Sequence, residues 1–202
     1  MYAPESFAET RPEALAALIR DYPLGLLITA GDEGPMANPL PFQLTPDGRH
    51  LRAHLARPNP QVAHLREGGP ALVVFQGEQA YITPALYVTK AESGKVVPTW
   101  NYLMVQVRGR PAVINDAAWL RDQIGALTTQ MEAGQTQPWA VSDAPDRYIE
   151  TMLRGIVGLQ IEINEIRGKW KAGQNKSAED RAGVRQGLSA SHPALAAATG
   201  DI

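Results

Sequence analysis

The sequence predicts an α+β protein, a mostly antiparallel β-barrel with peripheral helices. Three observations carry this. About seven short segments alternate or run apolar as strands do. Helical segments stand before and after the main run of strands, not between each pair, which disfavours a parallel sheet. Neither G-x-G-x-x-G nor a Walker loop occurs, so neither common nucleotide-binding α/β fold is supported.

The first helix is expected to open at Thr10. Thr10 and Glu13 match a capping box, Pro12 sits in the first turn, and Leu15, Leu18 and Ile19 share a face. Tyr22-Pro23 ends it. Leu24–Ala30 reads as a buried strand and Gly31-Asp32-Glu33-Gly34 as a turn. Ala37–Leu44 is extended, but Pro39 and Pro41 confine it to an edge or a bulge. Pro46-Asp47-Gly48 turns the chain into His50–Ala56, where Leu51, Ala53 and Leu55 face one way and Arg52 and His54 the other. After Pro58-Asn59-Pro60 a short helix, Gln61–Arg66, is expected, ended by Gly68-Gly69-Pro70.

Ala71–Gln76 is a buried strand, and Gln79–Thr83 continues the sheet after a hairpin. Pro84–Asn101 reads as a long polar loop of the kind that often carries function. Tyr102–Val107 alternates, and Ala112–Ile114 follows a break at Gly109-Arg110-Pro111. Asp116 caps a helix with Leu120, Ile124, Leu127 and Met131 on one face. Another helix starts at Ser142 or Asp143 and turns Ile149, Met152, Leu153 and Ile156 inward. Leu159, Ile161 and Ile163 form the last strand, and Ser177 and Asp180 open a short helix to about Gly187. The expected organisation is one domain over residues 1–188 and a small, Ala-rich tail over 189–202.

The chain has 202 residues, with 19 Lys+Arg against 21 Asp+Glu and no Cys. A net charge of -2 argues against a strong nonspecific binder of polyanions. Without Cys there is no disulfide framework, thiolate metal site or thiol nucleophile. A reducing cytoplasm fits this composition. The longest apolar stretches, Ala14–Ile19 and Leu24–Ile28, are too short to span a bilayer. Met1–Arg11 lacks the pattern of a secretory signal. The four His, at 50, 54, 64 and 192, show no metal-ligand spacing, and no G-x-S-x-G elbow supports serine hydrolysis.

Three segments could carry chemistry. In Arg57-Pro58-Asn59-Pro60-Gln61 a polar strand end runs into a helix start. Such a junction suits a phosphate, with Arg57 adding bidentate contacts, or is an ordinary loop with two prolines. Lys169-Trp170-Lys171 with Gln174-Asn175 is an aromatic–cation–amide cluster. It can cover a flat aromatic ligand and reach its polar edge, or it is a solvated surface turn. Val97–Tyr102, with Trp100 and Asn101, is a similar mix. Tyr81 and Thr83 share a strand face, which suits either a ligand or cross-strand packing.

Taken together, Met1-Tyr2 with Pro4 and Phe7, LRAHLARPNPQ (51–61), VVFQGEQAYITPALY (73–87) and GKVVPTWNY (94–102) resemble the PaiB-type FMN-binding family of split-barrel flavin proteins. VRGRP (107–111), WAVSDAP (139–145) and GKWKAGQNKS (168–177) continue the resemblance, which spans residues 1 to about 188. It implies an FMN-binding split β-barrel, a homodimer with flavin at the subunit interface, and a role as a negative transcriptional regulator. It also implies that Arg52, Arg57, Asn59 and Gln61 lie where such proteins hold the FMN phosphate. Trp100 and Asn101 match a second block, and Lys169, Trp170 and Gln174 a third. The chain departs from the family pattern at Ala85-Leu86-Tyr87, where several relatives carry a Ser-Trp-Tyr-like run. DNA enters as a partner through the resemblance alone, since no helix-turn-helix, basic recognition helix or zinc module is visible. The alternatives are an FMN-dependent oxidoreductase or NAD(P)H:flavin reductase, and a haem-binding split barrel.

Overall fold

The computed structural model describes residues 1–31 and 33–200. The middle of the expected turn at Asp32 and the end of the expected tail, Asp201-Ile202, lie outside the described residues. The strands are β1 (Ala8–Glu9), β2 (Leu24–Gly31), β3 (Gly34–Pro41), β4 (Gln43–Leu44), β5 (His50–Ala56), β6 (Ala71–Ile82), β7 (Thr99–Ile114) and β8 (Ile156–Lys171). The helices are α1 (Pro12–Asp21), α2 (Gln61–Arg66), α3 (Thr89–Ser93), α4 (Ala117–Glu132), α5 (Asp146–Arg154), α6 (Ala178–Leu188) and α7 (Pro193–Gly200). Strands hydrogen-bond in the order β3-β2-β6-β7-β8-β5-β4, with β1 added on β8. The registers of β2 on β3 and β6, of β5 on β4 and β8, and of β1 on β8 are all antiparallel. This is the α+β class that the sequence predicts. No helix of the described residues is long and apolar enough to cross a membrane.

Contacts group the chain into two compact units. The first takes Met1–Asp21, Phe75–Gln106 and the chain from Arg167 onward; the second takes Tyr22–Val74 and Val107–Ile166. Each has its own core. Ile19, Phe75, Ile82, Val105 and Leu195 are fully enclosed in the first, and Leu27, Phe42, Leu51, Leu159 and Ile161 in the second. Burying side chains of this size contributes about 1.5–3 kcal/mol each.

Several elements form for the reasons the sequence suggests. In α1 the buried face is Leu15, Leu18 and Ile19. The Thr10–Glu13 pair makes no hydrogen bond among the described residues; Glu9 instead accepts the Arg11 N–H at 2.8 Å and pairs with its guanidinium at 2.6 Å. Strand β3, with Pro35, Pro39 and Pro41, lies at one end of the sheet order, where missing N–H donors cost least. In β5, Leu51, Ala53 and Leu55 are buried in alternation. Asp116 caps α4 by accepting the Trp119 N–H at 2.7 Å.

Other elements differ. The expected loop 84–101 holds a 3-10 turn at Pro84–Leu86, helix α3 and the start of β7. Strand β7 runs through Gly109-Arg110-Pro111 without a break. An added Cβ at Gly109 would fall 2.2 Å from the Glu162 carbonyl oxygen, so this glycine marks a close approach of two backbones, not a turn. Met131 and Met152, expected inside, are 44% and 48% exposed; the buried face of α5 is Leu153 alone. The tail expected over 189–202 is corrected for its described part. Residues 193–200 form α7, with Leu195 fully buried and its N–H donating to Glu78 Oε2 at 2.8 Å.

Candidate functional site

Arg52, Arg57, Asn59 and Gln61 belong to the second unit. Arg57 follows β5 directly and clamps the end of α5. Its Nε donates to the Arg154 carbonyl at 3.0 Å, Nη1 to Asn115 Oδ1 at 3.0 Å and Nη2 to the Ile156 carbonyl at 2.8 Å. Three of a guanidinium's five N–H donors are thereby committed. The residue is nonetheless exposed. Asn59 Oδ1 accepts the Gln61 N–H at 2.9 Å and caps the first turn of α2.

Gln61 is fully buried. Its Nε2 lies 3.1–3.2 Å from the carbonyls of Leu27 and Met36 and from Thr29 Oγ1, and its Oε1 accepts from Asn38 Nδ2 at 3.0 Å. The side chain expected at a phosphate is a cross-brace between α2 and the β2–β3 hairpin. Arg52 stands 5.5 Å above the Trp119 ring and 3.3 Å from Asp122 Oδ2, and His54 Nδ1 meets Gln123 Oε1 at 2.9 Å.

Trp100, Asn101, Lys169, Trp170 and Gln174 belong to the first unit. The cluster read as either a ligand cover or a surface turn lies at the end of β8, so Lys169 and Lys171 share one face, two residues apart. Lys169 Nζ donates to the Tyr2 carbonyl at 3.0 Å and stands 5.4 Å from the centroid of the Tyr102 ring. Lys171 Nζ donates to Thr99 Oγ1 at 2.6 Å and to the Trp100 carbonyl. Gln174 closes the turn after β8: its amide accepts the Ala172 N–H at 2.9 Å and donates to the Trp170 carbonyl at 2.5 Å. Gly173 in that turn has φ +87°, which a side chain would strain. Tyr81 meets the exposed Trp100 edge-on at 6.0 Å.

These residues shape a cleft of about 240 Å³, with Asn101 and Lys171 in its wall. Asn101 is 2% exposed, and its side-chain amide makes no hydrogen bond among the described residues. Burial, with repulsion from Lys169 and Lys176, holds the Lys171 ammonium below the ordinary lysine value. Burial, with the negative charge of Asp180, pushes the Tyr87 phenol up. The sequence singles out Asn101 and places Lys171 in a candidate cluster, but nothing in it marks Lys171, Lys176 and Tyr87 as one wall. The signal for Lys171 was its period-2 spacing from Lys169, which only a strand assignment exposes. Among the described residues no group of three or more His, Asp or Glu could hold a metal ion.

The model of the family described as "Putative FMN-binding domain" matches residues 1–165. The chain belongs to this FMN-binding family. Its resemblance is to the PaiB type: it is 28% identical over 190 residues to Protease synthase and sporulation protein PAI 2 of Bacillus subtilis, covering 93% of this chain and 89% of that one. An uncharacterized protein of Emericella nidulans is 36% identical over 227 residues, covering 93% and 90%. Among solved structures, an FAD and heme binding protein from Mycobacterium smegmatis matches with a TM-score of 0.64 at 23% identity, covering 87% of this chain and 78% of that one. The last likeness concerns the fold, a split barrel of the flavin-binding kind.

Proposed function

We propose that the protein binds FMN as a cytoplasmic homodimer of the PaiB type and holds the FMN phosphate on Arg57. The observation that carries this reading is the state of the Arg57 guanidinium. Three internal hydrogen bonds fix its plane, two donors remain unused among the described residues, and the residue is exposed. A cation already held in place loses little entropy when it grips an anion, and planar donor pairs suit phosphate. Asn59, two residues on, can add a side-chain Nδ2–H, its backbone N–H being held by the Ala56 carbonyl. Gln61 takes no part in this reading, because its amide is used inside the fold.

The test is four dissociation constants: FMN and riboflavin against the native protein and Arg57→Ala. FMN binding is expected to weaken by about 1.5–3 kcal/mol, the range for hydrogen bonds to charged groups. Riboflavin, lacking phosphate, should change little. Since Arg57 also holds the end of α5, titrations belong well below the variant's melting transition. Equal weakening of both ligands would remove the phosphate assignment.

The dimer is supported by exposed apolar groups in the first unit: Val97 at 68%, Trp100 at 54% and Tyr81 at 52%. Light scattering at micromolar concentration should return twice the chain mass; a single-chain mass would count against it. A regulatory role follows only by analogy with the PAI 2 relative, whose name joins it to protease synthesis and sporulation.

A further inference from the structure

We propose that the cleft of the first unit binds a small organic anion, a carboxylate or phosphate carried on a flat apolar body. This goes beyond the flavin reading and stands or falls separately from it. The lining residues include Lys171 and Lys176 and no Asp or Glu; the one carboxylate felt at the wall is Asp180, which acts on Tyr87 from outside the lining. Lys171 uses two of its three N–H donors on Thr99 and the Trp100 carbonyl. The third is unused among the described residues. Lys176 Nζ lies 5.0 Å from the centroid of the Tyr87 ring, a contact that leaves its donors available.

Asn101 supplies the second, independent observation. Its side chain is 2% exposed, lines the cleft and has no hydrogen-bond partner among the described residues. A ligand offering both donor and acceptor would give this nearly buried amide the partners that the chain does not. An anion beside Lys171 would also relieve the repulsion among Lys169, Lys171 and Lys176. Phe7, Tyr87, Val97 and Pro98 provide apolar walls for the ligand's body.

Size narrows the class. The cleft of about 240 Å³ is smaller than the roughly 300–1,000 Å³ of pockets that enclose drug-sized ligands. It suits one ring with its anionic group.

The experiment is calorimetric titration of the full chain with benzoate, phenyl phosphate and the neutral isostere benzamide, without and with saturating FMN. At least one anion is expected to bind with Kd below about 1 mM, and benzamide at least ~10-fold more weakly. Which anion binds better tells carboxylate from phosphate. Lys176→Ala should weaken the anion by roughly 10-fold and leave benzamide unchanged, and Lys171→Met should abolish anion binding in a protein that still melts cooperatively. Saturating FMN should leave the anion's Kd unaltered. Equal affinity for benzoate and benzamide, no binding at concentrations on the order of 10 mM, or anion binding that survives Lys171→Met would overturn the proposal. Displacement by FMN would also overturn it, since the cleft would then be the flavin's own. Flavin fluorescence in the same samples reports FMN binding independently, so failure of one reading is distinguishable from failure of the other.

Discussion

Gln61→Leu is expected to destabilise the protein by about 3–5 kcal/mol, a large share of the stability of an ordinary domain. Leucine matches glutamine in bulk, so no cavity accompanies the change. What is lost is a set of hydrogen bonds in a place that water does not reach. Gln61 is fully buried, and its amide serves the carbonyls of Leu27 and Met36, the Thr29 hydroxyl and the Asn38 amide. Thr29 is itself 4% exposed and would keep only its 3.3 Å contact with His64 Nδ1. Each stranded buried group costs about 1–3 kcal/mol. Urea unfolding followed by tryptophan fluorescence measures the loss, and a change under about 1 kcal/mol would mean that the hairpin finds other partners.

Gly109→Ala should be nearly as damaging, by about 3 kcal/mol, for the opposite reason: an atom gained. The new Cβ would stand 2.2 Å from the Glu162 carbonyl oxygen and 2.5 Å from Ile161 Cγ2. A flexible side chain could swing away, but a backbone oxygen in a strand cannot move without disturbing its ladder. Gly125→Ala is the matched control, since its Cβ would meet nothing within 4 Å and the residue lies inside α4. The control should be neutral or slightly stabilising. Comparable melting temperatures for the two variants would refute the close-approach reading.

Glycine also explains where the sequence misleads about strands. Segments with one apolar face and a clear stop, such as α1 and β5, are legible because periodicity and punctuation agree. In β6, β7 and β8 they disagree. Gly77, Gly109 and Gly168 look like breaks, yet each lies inside a strand, where a side chain would be tight at Gly77 and would collide at Gly109 and Gly168. At Gly77 the neighbours are Leu103 and Leu18, and at Gly168 they are Leu15 and Glu9. A glycine that admits a neighbour and one that turns the chain are the same letter.

The candidate site shows a similar limit. The residue types at Arg57, Asn59 and Gln61 are right for an anion, but sequence does not show what each side chain already holds. Arg57 is bonded and still exposed, whereas Gln61 is bonded and enclosed. Lys171 reads as part of a cluster, but its shared face with Lys169 appears only because β8 extends that far.

The two units also set an order of events during synthesis. Every residue of the second unit has been made once Ile166 has left the ribosome. The first unit, although it starts with Met1, must wait for Ala172, Val184 and Leu195, which fill its interior. Until they arrive, β6 at Glu78 and the turn at Pro84–Leu86 lack the helices that pack on them. The nascent chain is then exposed to chaperones and proteases through its unfinished unit. A chain stopped at Leu188, the boundary that composition suggests, would keep that vulnerability, because Leu195 would never come.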